Sequence, residues 1–277
     1  MKGELFVVAT PIGNLGDMVP RAIDVLQSVD VIAAEDTRHS SRLLHHFDIS
    51  TRMLAYHDRG DESQLGRFLS MLEEGKTIAL ISDAGTPLIS DPGYRLIREA
   101  RAAGFRVTPV PGACAAIAAL SAAGLPSDRF QFEGFPPAKQ QARKKYLQDL
   151  AFTSATLIFY EAPHRILETL EDMADVFGDD REGVVCRELT KTFETFLTGT
   201  LAELAVKVAS DVNQQRGEIV VLVSGKDTDE EETPDEQRRI LQLLLQELPL
   251  KKAAALTAEI TGGNKRALYQ LGVQLKS

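Results

Sequence analysis

Cysteine is scarce: Cys114 and Cys186 are the two in 277 residues, and they form no C-x-x-C pair. That excludes a disulfide framework and a cysteine-based zinc site, and it suits a reducing, cytoplasmic setting. Long apolar runs are missing as well. The longest low-polarity stretch, residues 113–125, contains Ser121 and Gly124 and is too short to cross a membrane. Only five apolar residues separate Glu4 from Thr10, fewer than a secretory leader needs. Neither G-x-G-x-x-G nor G-x-x-x-x-G-K-[ST] occurs, which argues against a dinucleotide-binding Rossmann enzyme and against a P-loop NTPase. The histidines, His39, His45, His46, His57 and His164, include no H-x-x-x-H spacing, so no metal site is expected. An excess of basic charge is absent too. With 31 Lys+Arg against 40 Asp+Glu the net charge is -9, which taken whole disfavours a nucleic-acid partner.

What is present is an ordinary globular composition, 44% apolar and 26% charged, with ample material for a core. In the first half, β-branched runs at residues 4–9, 29–34, 77–81 and 105–110 read as buried strands. Residues 20–27, 38–47, 63–74 and 92–103 carry apolar side chains at helical spacing between them. Such alternation predicts an α/β domain on a largely parallel sheet. A helix follows through about Ala123. Residues 130–133, 155–160, 184–186, 193–197 and 219–223 then read as strands of a mixed sheet with fewer helices between. The expected organisation is an N-terminal α/β domain over residues 1–118 and a second over 119–225. An acidic linker over 226–236 and a helical basic tail over 237–277 follow. The tail has a helix–turn–helix rhythm, and whether it meets RNA or packs on the body stays open.

Three glycine-containing loops end predicted strands: TPIGN at residues 10–14, SDAGTP at 82–87 and VPGACA at 110–115. Ligands of open α/β sheets bind outside the carboxyl ends of the strands, so the three loops would converge on one site. They contain no Lys or Arg to hold a polyphosphate. Asp83 would suit a ribose hydroxyl or an ammonium group, or would cap its own turn.

Together with AAEDTR at residues 33–38, FYEAPHR at 159–165 and RELTKTFE at 187–194, these loops resemble the tetrapyrrole methylase family of S-adenosylmethionine-dependent methyltransferases. Within it they are most similar to the branch that methylates the 2′-hydroxyl of a cytidine in 16S rRNA. The resemblance implies two α/β domains with the cofactor in the cleft between them, plus a small C-terminal helical appendage, and usually a homodimer. Carried over by residue, Thr10 and Pro11 would line the cofactor pocket. Asp83, Ala84, Gly85 and Thr86 would hold the methionine end, with Ala113 and Cys114 beside it. Tyr160, Leu189, Glu218 and Ile219 would close the adenine side. Relatives that methylate tetrapyrroles often have serines where Cys114 and Ala115 stand, so backbone contacts are expected there.

Methyl transfer from a sulfonium to a ribose oxygen needs alignment and a proton acceptor. Candidates for the catalytic set are Glu35, Asp36, Arg38, Lys191 and Glu194, with Glu161 a further carboxylate in reach. An alternative for residues 35–38 is a plain helix start with Thr37 as N-cap. Glu35→Ala or Lys191→Ala is expected to lower turnover while sparing cofactor affinity. The substrate implied is 16S rRNA or the small ribosomal subunit, with no membrane and no metal. The rivals are a tetrapyrrole methyltransferase and a non-catalytic ribosome-associated module.

Partitioning the charge revises the first impression from -9. Residues 237–277 hold seven bases against two acids, the linker carries -6, and residues 1–225 carry -8. Local charge governs phosphate contact. RNA is therefore expected to meet Lys139, Arg143, Lys144 and Lys145 on the body, unless these form a plain solvated helix face, and Lys251, Lys252, Lys265 and Arg266 on the tail. Arg165, from the FYEAPHR motif, is a further candidate for phosphate contact.

Overall fold

Period-two alternation within the strands decides how the layers stack. In a computed structural model that describes residues 3–58, 62–226 and 234–276, the first sheet has the order β3-β2-β4-β1-β5. Its strands are β1 (Glu4–Val8), β2 (Val31–Ala34), β3 (Met53–Ala55), β4 (Thr77–Ile81) and β5 (Arg106–Val110). All its pairings are parallel. Val8, Ile32, Ala34, Ala79 and Ile81 face one side, where α1 (Pro20–Ser28) and α2 (Thr37–His46) supply Ala22, Leu26 and Leu44. The alternate residues Leu5, Val31, Ala33, Ile78 and Leu80 face α3 (Glu62–Glu73) and α4 (Tyr94–Ala102) on the other. Burial on both faces is what makes these strands read as continuous apolar runs.

The second sheet, order β6-β7-β10-β8-β9, is mixed as expected. It comprises β6 (Phe130–Gly134), β7 (Thr156–Glu161), β8 (Glu182–Arg187), β9 (Thr195–Thr200) and β10 (Ile219–Val223). Only β6 and β7 pair in parallel; the remaining pairings are antiparallel. One face packs on α6 (Gln140–Leu150), α7 (Ile166–Phe177) and α8 (Leu201–Ser210). The other face offers Ile158, Val184, Cys186, Val220 and Leu222 to α5 (Ala115–Ala123) and to Ile12 from the first sheet's β1 loop. This shared cluster joins the two sheets, and both belong to one compact unit, Met1–Gly225.

The local expectations need three corrections. β3 escapes the sequence pattern because three residues are too few to show a period. Fewer helices do intervene in the second half, three against four, and of these α6 hides its buried face because Arg143 and Leu147 form it, a charged residue beside a leucine. The strand expected over 193–197 is β9, which starts at Thr195; Phe193 is 71% exposed and lies in the preceding turn. Asp36, not Thr37, is the N-cap of α2, accepting from the N–H groups of Arg38 at 2.8 Å and His39 at 3.4 Å.

Lys226–Ser277 is a second compact unit. In it α9 (Pro234–Glu247), α10 (Leu250–Thr261) and α11 (Lys265–Lys276) bury Leu241, Ala253, Ala254 and Leu268. The turn between α10 and α11 uses Gly262 in the left-handed region and Asn264, whose Oδ1 accepts from the Arg266 N–H at 2.9 Å. Residues 227–233 of the expected acidic linker lie outside the described residues.

Candidate functional site

The first three loops converge as the parallel sheet requires. The Thr10 N–H donates to the Gly85 carbonyl at 2.9 Å and the Gly85 N–H returns to the Thr10 carbonyl at 3.1 Å. The Thr86 hydroxyl then donates to the Ala113 carbonyl at 2.9 Å, which joins the third loop to the second. Gly85 has φ +83°, and a Cβ there would stand 3.2 Å from Ile12 Cγ2, so both conformation and space call for glycine.

A cavity of about 350 Å³ opens over these loops. Ile12, Ala84, Gly85, Thr86, Cys114 and Ala115 line it from the first three loops and the start of α5. Tyr160, Leu189, Gly217, Glu218, Ile219 and Val220 line it from the second sheet. The Tyr160 hydroxyl accepts from the Ala116 N–H at 3.2 Å. That satisfies an N-terminal amide of α5, whose N-cap Cys114 makes no side-chain cap bond. Burial, with Cys114 alongside, raises the Tyr160 pKa, so the phenol stays protonated.

A clasp closes the second-sheet side. Glu188 and Thr190, both at positive φ, shape the turn after β8. Glu188 Oε1 accepts from the Lys191 ammonium at 2.8 Å and from the Glu218 N–H at 2.9 Å. Lys191 Nζ also meets Glu218 Oε2 at 3.1 Å. Partial burial works against the Lys191 charge, but the two carboxylates outweigh it and raise its pKa. The β1 loop reaches across to this turn: the Asn14 N–H donates to Thr190 Oγ1 at 3.1 Å. A Cβ on Gly13 would collide with Lys191 Cγ, so only glycine lets the lysine stem lie there.

The loop after β4 supplies what sequence reasoning does not find: Ile89, Ser90 and Asp91 line the cavity. Leu88 and Ser90 hold positive φ without being glycine. The loop's end is tied down where Asp58 Oδ2 accepts from the Gly93 N–H at 2.9 Å, while Asp58 Oδ1 accepts from the Tyr56 hydroxyl at 2.9 Å. Burial, with the Asp83 charge adding and a Ser82 hydrogen bond opposing, pushes the Asp91 carboxyl up to about 6. Burial also raises Glu35, with Asp83 and Asp91 contributing repulsion. Phe135 and the segment 161–163 complete the lining. A positive-φ position cannot be read from residue type when it is Leu or Ser, which is why this wall has no sequence signature.

Of the expected cofactor residues, Ala84, Gly85, Thr86, Cys114, Tyr160, Leu189, Glu218 and Ile219 line the cavity; Thr10, Pro11, Asp83 and Ala113 do not. Thr10 is buried as a bridge residue. Asp83 is turned to the backbone, its Oδ1 accepting from the Asp36 N–H at 3.0 Å. None of Glu35, Asp36, Arg38, Lys191 and Glu194 lines the cavity. Asp36 is occupied as a helix cap, and the two N–H groups it caps lower its pKa. Arg38 has a side chain 94% exposed. Glu194 Oε2 accepts from the Thr190 N–H at 2.6 Å. Glu161 does line the cavity, but its buried carboxylate is saturated by Arg165, the Ala162 N–H and the Thr169 hydroxyl.

Of the expected RNA-facing set, Arg143 needs correction. Arg143 is fully buried, its Nε 2.7 Å from Asp172 Oδ2, because α6 needs that face for packing. Lys144 is paired with Asp175 at 2.7 Å. Arg165 is held by Glu161 with its side chain 15% exposed. Lys139, Lys145, Lys251, Lys252, Lys265 and Arg266 are exposed. Among the described residues no group of three or more His, Cys, Asp or Glu side chains is arranged to hold a metal, and no helix is long and apolar enough to cross a membrane.

Comparison with known proteins gives concordant matches. Residues 4–205 match the tetrapyrrole (corrin/porphyrin) methylases, and residues 231–276 match the RsmI C-terminal HTH domain. The chain is similar to ribosomal RNA small subunit methyltransferase I of Pseudomonas aeruginosa, 62% identical over 98% of this chain and 97% of that one. It is also similar to the protein of the same name from Vibrio cholerae, at 57% over 98% and 94%. Among solved structures, the cobalamin biosynthetic enzyme cobalt precorrin-4 methyltransferase superposes with a TM-score of 0.59 at 19% identity, over 80% of this chain and 94% of that one. Diphthine synthase superposes with a TM-score of 0.59 at 16% identity, over 80% and 90%. At those identities the two structures share the fold.

Proposed function

This chain belongs to the tetrapyrrole methylase family, and from that premise we propose that it is an S-adenosylmethionine-dependent methyltransferase of small-subunit ribosomal RNA. The atom modified is the ribose 2′-oxygen of a cytidine in 16S rRNA. The observation that carries this reading is 62% identity, over nearly the whole of both chains, to a protein named for that RNA. A tetrapyrrole substrate is the weaker reading, since the likeness to the precorrin enzyme is one of fold at 19% identity.

The cavity suits the cofactor. Its volume of about 350 Å³ is that of a small-molecule site. Ile12, Ile89, Leu189, Ile219 and Val220 offer apolar surface for an adenine ring. Asp91 and Glu218 are charged lining residues and no Lys or Arg lines the cavity, as a sulfonium and an ammonium group require. Ala84, Gly85, Thr86 and Cys114 hold the methionine end, chiefly through backbone groups, with Thr10, Pro11, Asp83 and Ala113 supporting them from behind. Tyr160, Leu189, Glu218 and Ile219 hold the adenosine end. When bound, the cofactor supplies an electrophilic methyl group whose transfer leaves a neutral thioether, so no general acid is needed.

The chain's own residues then align the hydroxyl and take its proton. Asp91 is the carboxylate in the cavity suited to accept that proton, being ionised at neutral pH yet more basic than an ordinary aspartate. Glu35 acts behind it through charge, and Lys191 acts as a positioning residue that fixes Glu218. Asp36, Arg38 and Glu194 shape the surrounding turns. Lys139 and Lys145 on the body and Lys251, Lys252, Lys265 and Arg266 on the tail meet RNA phosphates without reading sequence. The reading includes two lobes over residues 1–118 and 119–225, a linker over 226–236 and an RNA-gripping tail over 237–277. It also includes a homodimer acting in the cytoplasm, which light scattering and fractionation check. Deleting the gene is expected to remove one ribose methyl group from 16S rRNA, with restoration by a plasmid copy. An unchanged methylation map would contradict the proposal.

A further inference from the structure

An aromatic ring half in water at the mouth of a cavity offers a flat apolar face that a bound ligand can cover. Phe135 is 55% exposed and yet lines the cavity. It follows Gly134, which ends β6 at φ +65°, and precedes Pro136, which is buried. The ring is therefore carried on a stiff, anchored turn. A Cβ on Gly134 would lie 3.5 Å from Ser90 Oγ, so this turn abuts the strained loop that carries Asp91. The inner side of the aromatic group is also built. Tyr160 meets Phe135 edge to face, with centroids 5.7 Å apart and planes at 67°. Phe132 meets Tyr160 at 4.9 Å and 69° behind it. Three rings thus form a braced stack whose outermost member is open to solvent.

Basic residues follow the ring in the chain. Lys139 is the N-cap residue of α6 and Lys145 lies about one and two-thirds turns further along it. Both are exposed, and neither forms an ion pair among the described residues. Phe152 and Phe193 are more exposed still, but neither lines the cavity. Proteins stack an unpaired base on an exposed aromatic ring and hold its phosphates with basic side chains.

We infer that Phe135 is a stacking platform for the target nucleobase, holding one unpaired RNA base at the cavity mouth so that its ribose enters beside Asp91. The inference rests on the RNA reading above and adds to it a subsite for a flipped or single-stranded base. Stacking needs a π-face and tolerates tyrosine; simple packing needs only bulk and tolerates leucine.

The test compares wild type with Phe135→Ala, Phe135→Leu and Phe135→Tyr. It measures methyl transfer to small ribosomal subunits that lack the modification and, separately, S-adenosylmethionine affinity by calorimetry. Phe152→Ala serves as the exposed-aromatic control. The Ala and Leu variants are expected to lose roughly 5- to 150-fold in kcat/KM for the subunit, the range of one base stack. Their cofactor affinity stays within about twofold of wild type, and Tyr restores transfer. Leucine working as well as phenylalanine would overturn the inference, because bulk would then suffice. So would a parallel loss of cofactor affinity, which would assign Phe135 to the cofactor. If alanine fails to fold, the Leu and Tyr pair still decides. Wild-type protein that transfers nothing to subunits would overturn the RNA reading and this subsite together; full activity in Phe135→Leu overturns the subsite alone.

Discussion

Asp91 owes its chemistry to its surroundings. Its ordinary carboxyl value of 3.8 is pushed up to about 6 by burial, with Asp83 adding repulsion. As proton acceptor it must be ionised, so turnover should rise with pH through about 6 and then level. Asp91→Asn should remove that limb and lower kcat by about 100-fold or more, with cofactor affinity retained. The same shift has an opposite effect on stability. A carboxyl whose folded value is raised binds a proton more tightly in the folded state, so stability falls as pH climbs from about 4 to about 6. Asp91→Asn should therefore flatten that fall and leave the protein more stable at pH 7, as urea melts at both pH values would record. Loss of turnover without the stability gain would mean that the substitution had disturbed the loop rather than the proton.

Lys191 leads to a different expectation once its partners are known. Sequence position alone suggests lost turnover with cofactor affinity spared. Its bonds to Glu188 and Glu218, and Gly13 packed on its stem, tie it to a cavity wall instead. Lys191→Ala leaves two carboxylates facing each other, and cofactor affinity should fall together with turnover, about tenfold, by calorimetry. Unchanged affinity would return Lys191 to the chemistry.

Helices and sheets tell which parts of this fold are readable in the sequence. The first sheet is legible because its strands alternate between two apolar layers and helices separate them. The converging loops are legible because they sit at strand ends, where a parallel sheet collects its ligands. Where a charged residue does a core residue's work, the pattern fails. Arg143 reads as an RNA contact because it stands among Lys139, Lys144 and Lys145, yet it forms the buried centre of the α6–α7 contact with Asp172. Arg143→Ala strips one partner from that pair and should cost about 3–5 kcal/mol of unfolding free energy. Denaturant titration checks it, with RNA binding of the folded fraction unchanged. The Ser90–Asp91 wall stays hidden for another reason: its conformation is imposed by anchors far away in sequence, such as Asp58, and no local signal announces it.

Across the whole chain, the charge of -9 is the sum of unlike parts. On the proposed reading, the acidic body keeps non-specific RNA away, while the exposed bases on α6, α10 and α11 supply the attraction. Replacing Lys251, Lys252, Lys265 and Arg266 by Ala should weaken subunit binding. It should also lower the slope of log affinity against log salt by about 3, since each phosphate contact contributes roughly 0.7–0.9. An unchanged slope would mean that the tail packs elsewhere and leaves RNA to the body.

The proposed reaction is methyl transfer to a ribose oxygen of small-subunit RNA. Purified protein, tritiated S-adenosylmethionine and subunits lacking the modification test it most directly, with nuclease digestion and separation of nucleosides as the readout. Label in 2′-O-methylcytidine is the predicted result. Label in a methylated base, label only on an added tetrapyrrole, or cofactor binding without any transfer would contradict it.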